Sequence, residues 1–191
     1  IYKQRNEKNN YPLSFNTKSI KIMDQIFSTK LYEFPNKLKL LCFLTVFNIT
    51  VGVGVGLYYV GYTTQYSSIG TSEHFAGSKV SDDFDIPDKY PKPISELLNT
   101  THTHVISMTF IFLIIGGIFY FNSIITGSMK TILIIEPFIS IIVTFGGIWL
   151  IRFIHPGFSY LVILSGILMY LSFIIMASTI FYELSIKSSR S

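Results

Sequence analysis

The sequence is poor in the residues that catalysis, disulfide bonds and a water-exposed surface require. Only 14% of its 191 residues are charged, and it has a single cysteine, Cys42. One cysteine excludes an internal disulfide, and its apolar neighbours predict a small, buried hydrophobic side chain. The sequence contains no Ser-His-Asp order, carboxylate pair, CxxC or HExxH motif. These absences give no support to a hydrolase or a zinc protease, and we predict that the chain is not an enzyme on its own.

Apolar side chains, by contrast, make up 49% of the sequence. A membrane-spanning helix needs about 20 consecutive, mostly apolar residues. Four runs meet this requirement, at about 40–62, 104–121, 131–151 and 158–182. We therefore predict an all-α membrane protein with four transmembrane helices in a bundle. The segment 63–103 between the first two runs is predicted to be an outer loop of roughly 30 to 40 residues.

The distribution of charge predicts how the chain is oriented. Eight of the fifteen Lys and Arg residues precede the first run, whereas the segment 63–103 is net acidic. By the positive-inside rule, both termini are predicted to be cytoplasmic and 63–103 to lie outside. The predicted organisation is a basic cytoplasmic segment at 1–36, a membrane domain at 37–184 and a cytoplasmic tail at 185–191. Nothing in residues 1–22 suggests a catalytic role, and Met23 is a candidate for the natural start.

The distribution of charge also indicates which classes of partner the protein has. The net charge of +4 arises from flanking residues of membrane spans, so nucleic acid is not a predicted partner. No soluble small-molecule substrate is indicated either. The predicted partners are the lipid bilayer and other membrane subunits.

The predicted outer loop contains several residues that interrupt regular structure. Gly70 and Gly77 bracket a Glu-His pair, and an acidic stretch with prolines follows and ends at Pro93. Glycine and proline favour turns and loops. We therefore expect short strand or irregular structure over the mouth of the bundle, and a helix that starts at Pro93.

All four histidines, His74, His102, His104 and His155, fall on the predicted outer side. Histidine is a usual axial ligand of haem b and a common ligand of copper and zinc. We predict that His102, His104 and His155 are candidates to hold one haem b. For a metal ion, with copper or zinc less favoured than haem, the candidates are His74, His102 and His104. The alternative is that each imidazole is simply hydrogen-bonded at the interface.

Two of these histidines share a helix but not a face. His102 and His104 would lie about 200° apart around a continuous helix. They would therefore not hold one metal together unless the helix is broken there.

Glu136 is the one acidic residue clearly inside a predicted span, and Pro137 follows it. Its helical face continues to Ser140, Thr144 and Gly147. A carboxyl group in lipid is neutral or paired, and it can relay protons or bind a cation. The interpretation that we favour is that Glu136 lies close enough to the cytoplasmic interface to be hydrated, or bonds backbone amides freed around Pro137.

Two other spans carry faces suited to helix packing. Gly52 and Gly56 lie one turn apart in the first run, which allows a neighbouring helix to approach closely. In the last run, hydroxyl residues and methionine recur at intervals of three or four residues: Ser165, Met169, Ser172, Met176 and Thr179. This pattern predicts a packing face, and a methionine-lined cofactor site is the alternative.

Four stretches together resemble a group of small bacterial four-span inner-membrane proteins. They are Gly70–Gly77, Thr101–Met108 (T-H-x-H-x-x-S-M), Glu136-Pro137-Phe138 and Trp149–Arg152. The resemblance covers about residues 38–184 and implies a bacterial inner-membrane protein.

From these features we predict an integral subunit of a larger membrane complex that is respiratory or electron-transferring. The first alternative is an ion-coupled transporter or channel-like protein that uses Glu136. The second is a purely structural assembly subunit without a cofactor.

Overall fold

The computed structural model describes residues 28–79 and 86–187. Most of the predicted N-terminal segment, the centre of the acidic stretch and residues 188–191 lie outside the described residues.

Five α-helices form the described structure: α1 (Asn36–Thr64), α2 (Ser68–Ala76), α3 (Ile94–Tyr120), α4 (Gly127–Phe153) and α5 (Ser159–Tyr182). Short 3₁₀ turns lie at Leu31–Glu33 and Pro156–Phe158, and a π-helical turn at Glu183–Lys187 follows α5. Four of the helices, all except α2, are long and apolar enough to cross a membrane. The described residues contain no strand. The predicted fold class, an all-α protein with four membrane helices, is therefore confirmed.

α3 extends well beyond its apolar part. It begins at Ile94, ten residues before the predicted span, with Pro93 as its N-cap. Proline cannot donate a backbone hydrogen bond, but that donor is not needed at a helix start. The predicted start near Pro93 is confirmed, and His102 and His104 lie on an unbroken helix.

The prediction of strand or irregular structure in the outer loop is wrong for residues 68–76, because these residues form α2. The hydroxyl of Ser67 accepts a hydrogen bond from the Gly70 amide at 2.9 Å and so caps the helix. A Cβ on Gly70 would lie 2.1 Å from the carbonyl oxygen of Thr64. Gly70 therefore permits a close contact with the end of α1, and Gly77, at φ +86°, ends α2.

The turn between α1 and α2 folds back onto α1. Gln65 and Tyr66 both adopt the left-handed conformation, with φ of 53° and 50°. The Tyr66 hydroxyl donates to the carbonyl oxygen of Leu57 at 2.8 Å. Its ring leaves no room for a side chain at Gly61, where a Cβ would lie 2.2 Å from the ring.

The core lies between α3, α4 and α5. α4 and α5 pack so closely that a Cβ on Gly147 would lie 2.6 Å from a methyl group of Val162. α3 joins them through the rings of Phe112 and Phe173, whose centroids are 6.3 Å apart. The predicted packing face of α5 is confirmed for the four of its five residues that are buried, Ser165, Met169, Ser172 and Met176, whereas Thr179 is half-buried.

α1 packs against this core along a narrow strip. Only 11% of its most apolar stretch is buried, compared with 39% in α4 and in the span that contains α5. Cys42 and Val46 are buried, which confirms the interpretation of the lone cysteine. The ring of Phe43 meets that of Phe181 edge to face at 5.3 Å. Ile49 and Val53 are partly buried against the core, and most other side chains of α1 are exposed.

Candidate functional site

The bundle has two ends that differ in their polar residues. The α2 end carries α2 and the starts of α3 and α5, and the charge pattern predicts that it faces outward. The Glu183 end carries the starts of α1 and α4 and the π-helical turn. All four histidines lie at the α2 end.

Each histidine is placed by its own segment. On α3, His102 and His104 are exposed. The Nδ1–H of His104 donates to the carbonyl oxygen of Thr100 at 2.9 Å. The Nδ1 of His155 accepts a hydrogen bond from the Gly157 amide at 2.9 Å and caps the turn before α5. On α2, His74 is half-buried, and its ring lies edge to face with that of Phe75.

The histidines do not converge on a common centre. Within residues 28–79 and 86–187, no group of three or more His, Cys, Asp or Glu side chains could hold a metal ion. No hydrogen bond or ring contact in these ranges joins two histidines. The described structure therefore does not bring His74, His102 and His104 together as a metal site, and no contact pairs His155 with either histidine of α3.

His74 has an environment that disfavours positive charge. The pKa of His74 is lowered from 6.5 to about 4, chiefly by burial and also by the nearby Lys92 and Lys89, against the opposing effect of Glu96. The ring is therefore neutral at pH 7. The same lysines make the position unfavourable for a metal cation.

Glu136 joins α4 to α5. One carboxyl oxygen accepts a short hydrogen bond from the hydroxyl of Ser140, one turn along α4. The other accepts from the hydroxyl of Ser172 on α5 at 2.6 Å. The line of polar side chains between α4 and α5 continues with a 2.7 Å hydrogen bond between the hydroxyls of Thr144 and Ser165. The predicted face from Glu136 to Ser140 and Thr144 is thus the line along which α4 meets α5.

The hydrogen bonds of Glu136 correct one half of the interpretation that we favoured, the bonds to backbone amides. That Glu136 lies close enough to the cytoplasmic interface to be hydrated stays a prediction. The residue lies nine positions into α4, about 14 Å from the helix start at 1.5 Å per residue. Serine hydroxyls, rather than backbone amides near Pro137, bond its carboxyl oxygens. Glu136 also lines an open cavity of about 360 Å³ with Thr131 and Leu168.

The chain matches the model of one known protein family. Residues 65–191 match the model of the Aq_1264_TM family, a transmembrane helical domain. The chain belongs to this family. No curated protein and no solved structure matches it. Family membership and four long apolar helices establish an integral membrane protein in contact with the lipid bilayer.

The Aq_1264_TM domain, as matched, begins directly after α1. It comprises α2, α3, α4 and α5, and α1 lies outside the matched residues. At the α2 end, two hydrogen bonds join α4 to α3 and to the segment just before it. The indole Nε1–H of Trp149 donates to the hydroxyl of Thr101 at 2.9 Å, and Nε–H of Arg152 donates to the Lys92 carbonyl oxygen at 3.2 Å.

A polar cluster at the Glu183 end escaped the sequence analysis. Glu183 is fully buried. Its carboxylate accepts from the Asn122 side chain at 2.7 Å and from the Ser123 amide and hydroxyl at 2.9 and 2.8 Å. Nζ of Lys130 donates to the Asn122 carbonyl oxygen at 2.6 Å. The only signal in the sequence was an acidic residue at the end of an apolar run, on the same predicted side as the Asn122-Ser123 turn.

Proposed function

We propose that this protein is an integral subunit of a larger membrane assembly, to which α1 contributes a contact surface. The observation that carries the proposal is the state of two glycines in the middle of α1. A Cβ added to Gly52 or Gly56 would meet nothing within 4 Å. In the interior of a helix, each glycine is about 1 kcal/mol less favourable than alanine. The fold of the described chain gives no packing reason for these glycines, whereas another helix packed against α1 would.

The separation of α1 from the family domain supports the same conclusion. α1 lies outside the residues that match the family and is the least buried of the four membrane helices. Lipid can cover its apolar side chains, such as Leu44 and Val51, which are exposed. Lipid does not require small residues, because close backbone approach benefits only a protein neighbour.

The electron-transfer part of our expectation depends on the histidines. A haem b held by two histidines needs two imidazoles that converge on one iron. His102 and His104 lie on different faces of the unbroken helix α3, and no contact among the described residues joins His155 to either of them. We therefore propose the assembly role without a cofactor. A visible absorption spectrum of the purified protein tests this choice. A Soret band that disappears in His102→Ala or His104→Ala would restore the haem hypothesis.

Native membranes provide the test of the assembly role. The full chain, tagged at one terminus and extracted in native nanodiscs, should migrate in a particle that contains more protein than one 21.7 kDa chain. Native mass spectrometry of that particle gives the stoichiometry. A single chain per particle, at native expression level, would overturn the proposal.

Glu136 supports a second candidate function, that of an ion-binding transporter. Its carboxyl group and two serine hydroxyls, from α4 and α5, form a group of oxygen atoms beside an open cavity. Carboxyl groups inside membranes often mark paths of protons or cations. Proteoliposomes that contain the purified protein and a proton- or sodium-sensitive dye test this function. Flux that is lost in Glu136→Gln and kept in Glu96→Gln would support it, and absence of flux would oppose it.

A further inference from the structure

We propose that two copies of this chain pair in the membrane through one face of α1, formed by Asn48, Gly52 and Gly56. We call it the Asn48 face. The inference rests on the proposed assembly role and names the first partner, a second copy. The three residues follow each other at intervals of four, so they form a continuous stripe on the helix.

The Asn48 face lies beside the line along which α1 packs on the bundle, with Asn48 farthest from that line and Gly56, which is half-buried, nearest to it. Asn48 lies about 200° around the helix from the buried Val46. Asn48 and Gly52 are both exposed, and the open space at Gly52 and Gly56 leaves their backbone accessible. Another helix could therefore approach without moving the packing of α1 on α5.

Asn48 is a polar side chain that a monomer would expose to the hydrocarbon of the bilayer. α1 has 29 residues, and Asn48 lies two positions from its centre, which is about 3 Å along the axis. Its side-chain amide donates to the carbonyl oxygen of Leu44 at 2.8 Å within the same helix. Its side-chain oxygen accepts no hydrogen bond from any described residue. An unpaired amide oxygen in hydrocarbon is costly, so the site favours a partner that donates a hydrogen bond at this depth.

A second copy supplies that partner at the required depth. A primary amide contains both a donor and an acceptor, so two Asn48 side chains related by a two-fold axis can each donate to the other. Both copies insert in the same direction, which brings the two residues to the same level. Gly52 and Gly56, one and two turns further along, allow the two backbones to approach closely enough for the amides to meet.

The charges at the start of α1 do not prevent this pairing. Lys37 is exposed and lies eleven positions from Asn48, about 16 Å along the helix. There it is outside the hydrocarbon layer, where salt screens repulsion between exposed charges over about 8 Å. A lysine side chain is also long enough to turn away from its counterpart.

The test measures association of the purified full chain in liposomes. Energy transfer between two fluorescently labelled populations, at decreasing protein-to-lipid ratio, gives the dimer dissociation constant. We expect Asn48→Leu and Gly52→Ile to raise this constant about fivefold or more. The matched control is Gly54→Ile, which also adds a side chain in open space but on the opposite flank of α1 and should leave the constant unchanged.

A crosslinking experiment gives an independent measure that does not depend on affinity. In a Cys42→Ala background, Gly52→Cys should form a disulfide-linked dimer on mild oxidation, and Gly54→Cys should not. Thermal unfolding of each variant shows that it is folded.

Several results would overturn the inference. They are a protein that is monomeric at every lipid ratio, a Gly54→Ile variant as damaging as Gly52→Ile, or equal crosslinking at both positions. A monomer in liposomes that still occurs in a larger particle in native membranes contradicts only the pairing of copies. A monomer in both settings contradicts the proposed function as well.

Discussion

Glycine serves different purposes in α4 and in α1. In α4, Gly147 makes room for Val162 of α5, and a Cβ there would lie 2.6 Å from its methyl group. In α1, Gly52, Gly54 and Gly56 have no neighbour within 4 Å of the position of a Cβ. The glycine of α4 is explained by packing inside the chain. The glycines of α1 are not, and the face that carries Gly52 and Gly56 is the surface that we propose for contact with other proteins.

Hydroxyl groups show the same contrast. Thr144 of α4 bonds across the helix interface to Ser165 of α5 at 2.7 Å. Thr50 of α1 bonds only within its own helix, to the carbonyl oxygen of Val46 at 2.7 Å. Thr144 is thus bonded between helices, and Thr50 is bonded within its own helix. If the contrast is real, substitutions in the domain should cost stability, and equivalent substitutions in α1 should not.

The largest effect is expected at the Glu183 end of the domain. Replacement of Glu183 by Leu removes the acceptor of three hydrogen bonds and takes from the buried Asn122 side chain the acceptor of its amide group. We expect the free energy of unfolding to fall by about 3 kcal/mol. Denaturation in mixed micelles measures it. Glu96→Gln, at an exposed pair with Lys92, should change it by less than about 0.5 kcal/mol. A loss below about 1 kcal/mol in the first variant would mean that the cluster does not hold the domain together.

The next effect tests the two kinds of glycine directly. Gly147→Ala forces α4 and α5 apart at Val162, whose branched side chain is stiff, and should cost about 1 to 3 kcal/mol. Gly54→Ala adds the same methyl group in open space and should stabilise α1 by up to about 1 kcal/mol. The same denaturation assay compares the two variants. Equal effects at the two positions would remove the distinction between the helices.

The fold could be predicted from the sequence to the extent that it depends on local composition. Apolar runs such as the one that ends near Tyr62 are sufficient for a membrane helix, because the bilayer imposes the length. α2 could not be predicted, because a glycine such as Gly70 favours a turn or loop when only the sequence is considered. In the structure, Gly70 allows contact with the carbonyl group of Thr64. A glycine in a close tertiary contact and a glycine in a turn look alike in sequence.

The candidate sites show the same limit more strongly. The face of Glu136 could be predicted as far as Ser140, because that bond spans one turn of one helix. Its partner Ser172 is 36 residues away, and the partner of Glu183, Asn122, is 61 residues away. Which helices meet, and at what height, is decided by packing such as that of Gly147 on Val162, and periodicity within one helix carries no information about it.

A smaller effect concerns how much the packing of α2 contributes to the free energy of unfolding of the domain. The pKa of His74 is about 4 in the folded protein, below its ordinary value of 6.5. As the pH falls from 6.5 towards 4, the unfolded segment binds a proton that the folded one does not, so stability decreases in this window. The shift of about 2.5 pKa units would correspond to about 3.4 kcal/mol at 1.36 kcal/mol per unit. We expect a loss of only about 1 kcal/mol, because the ring is half-buried and solvent screens its charge.

Unfolding at pH 7.5 and at pH 4.5 measures this loss. His74→Gln should remove most of the difference between the two pH values, and His102→Gln, at an exposed position, should leave it intact. A pH dependence that is unchanged in His74→Gln would assign it to other groups and would leave the docking of α2 without this contribution.

The smallest effect tests the contrast between the two threonines. Thr144→Val removes a hydrogen bond between α4 and α5, and such bonds in membrane proteins contribute about 0.6 kcal/mol on average. Thr50→Val makes the same change of shape in α1 but removes only a bond to its own helix, so its effect on the free energy of unfolding should be close to zero. Ser165 keeps its own bonds to the carbonyl oxygens of Leu161 and Val162, which limits the loss in Thr144→Val. Equal losses in the two variants would show that the interhelical bond adds nothing to the packing of α4 on α5, and the contrast would then rest on the glycines alone.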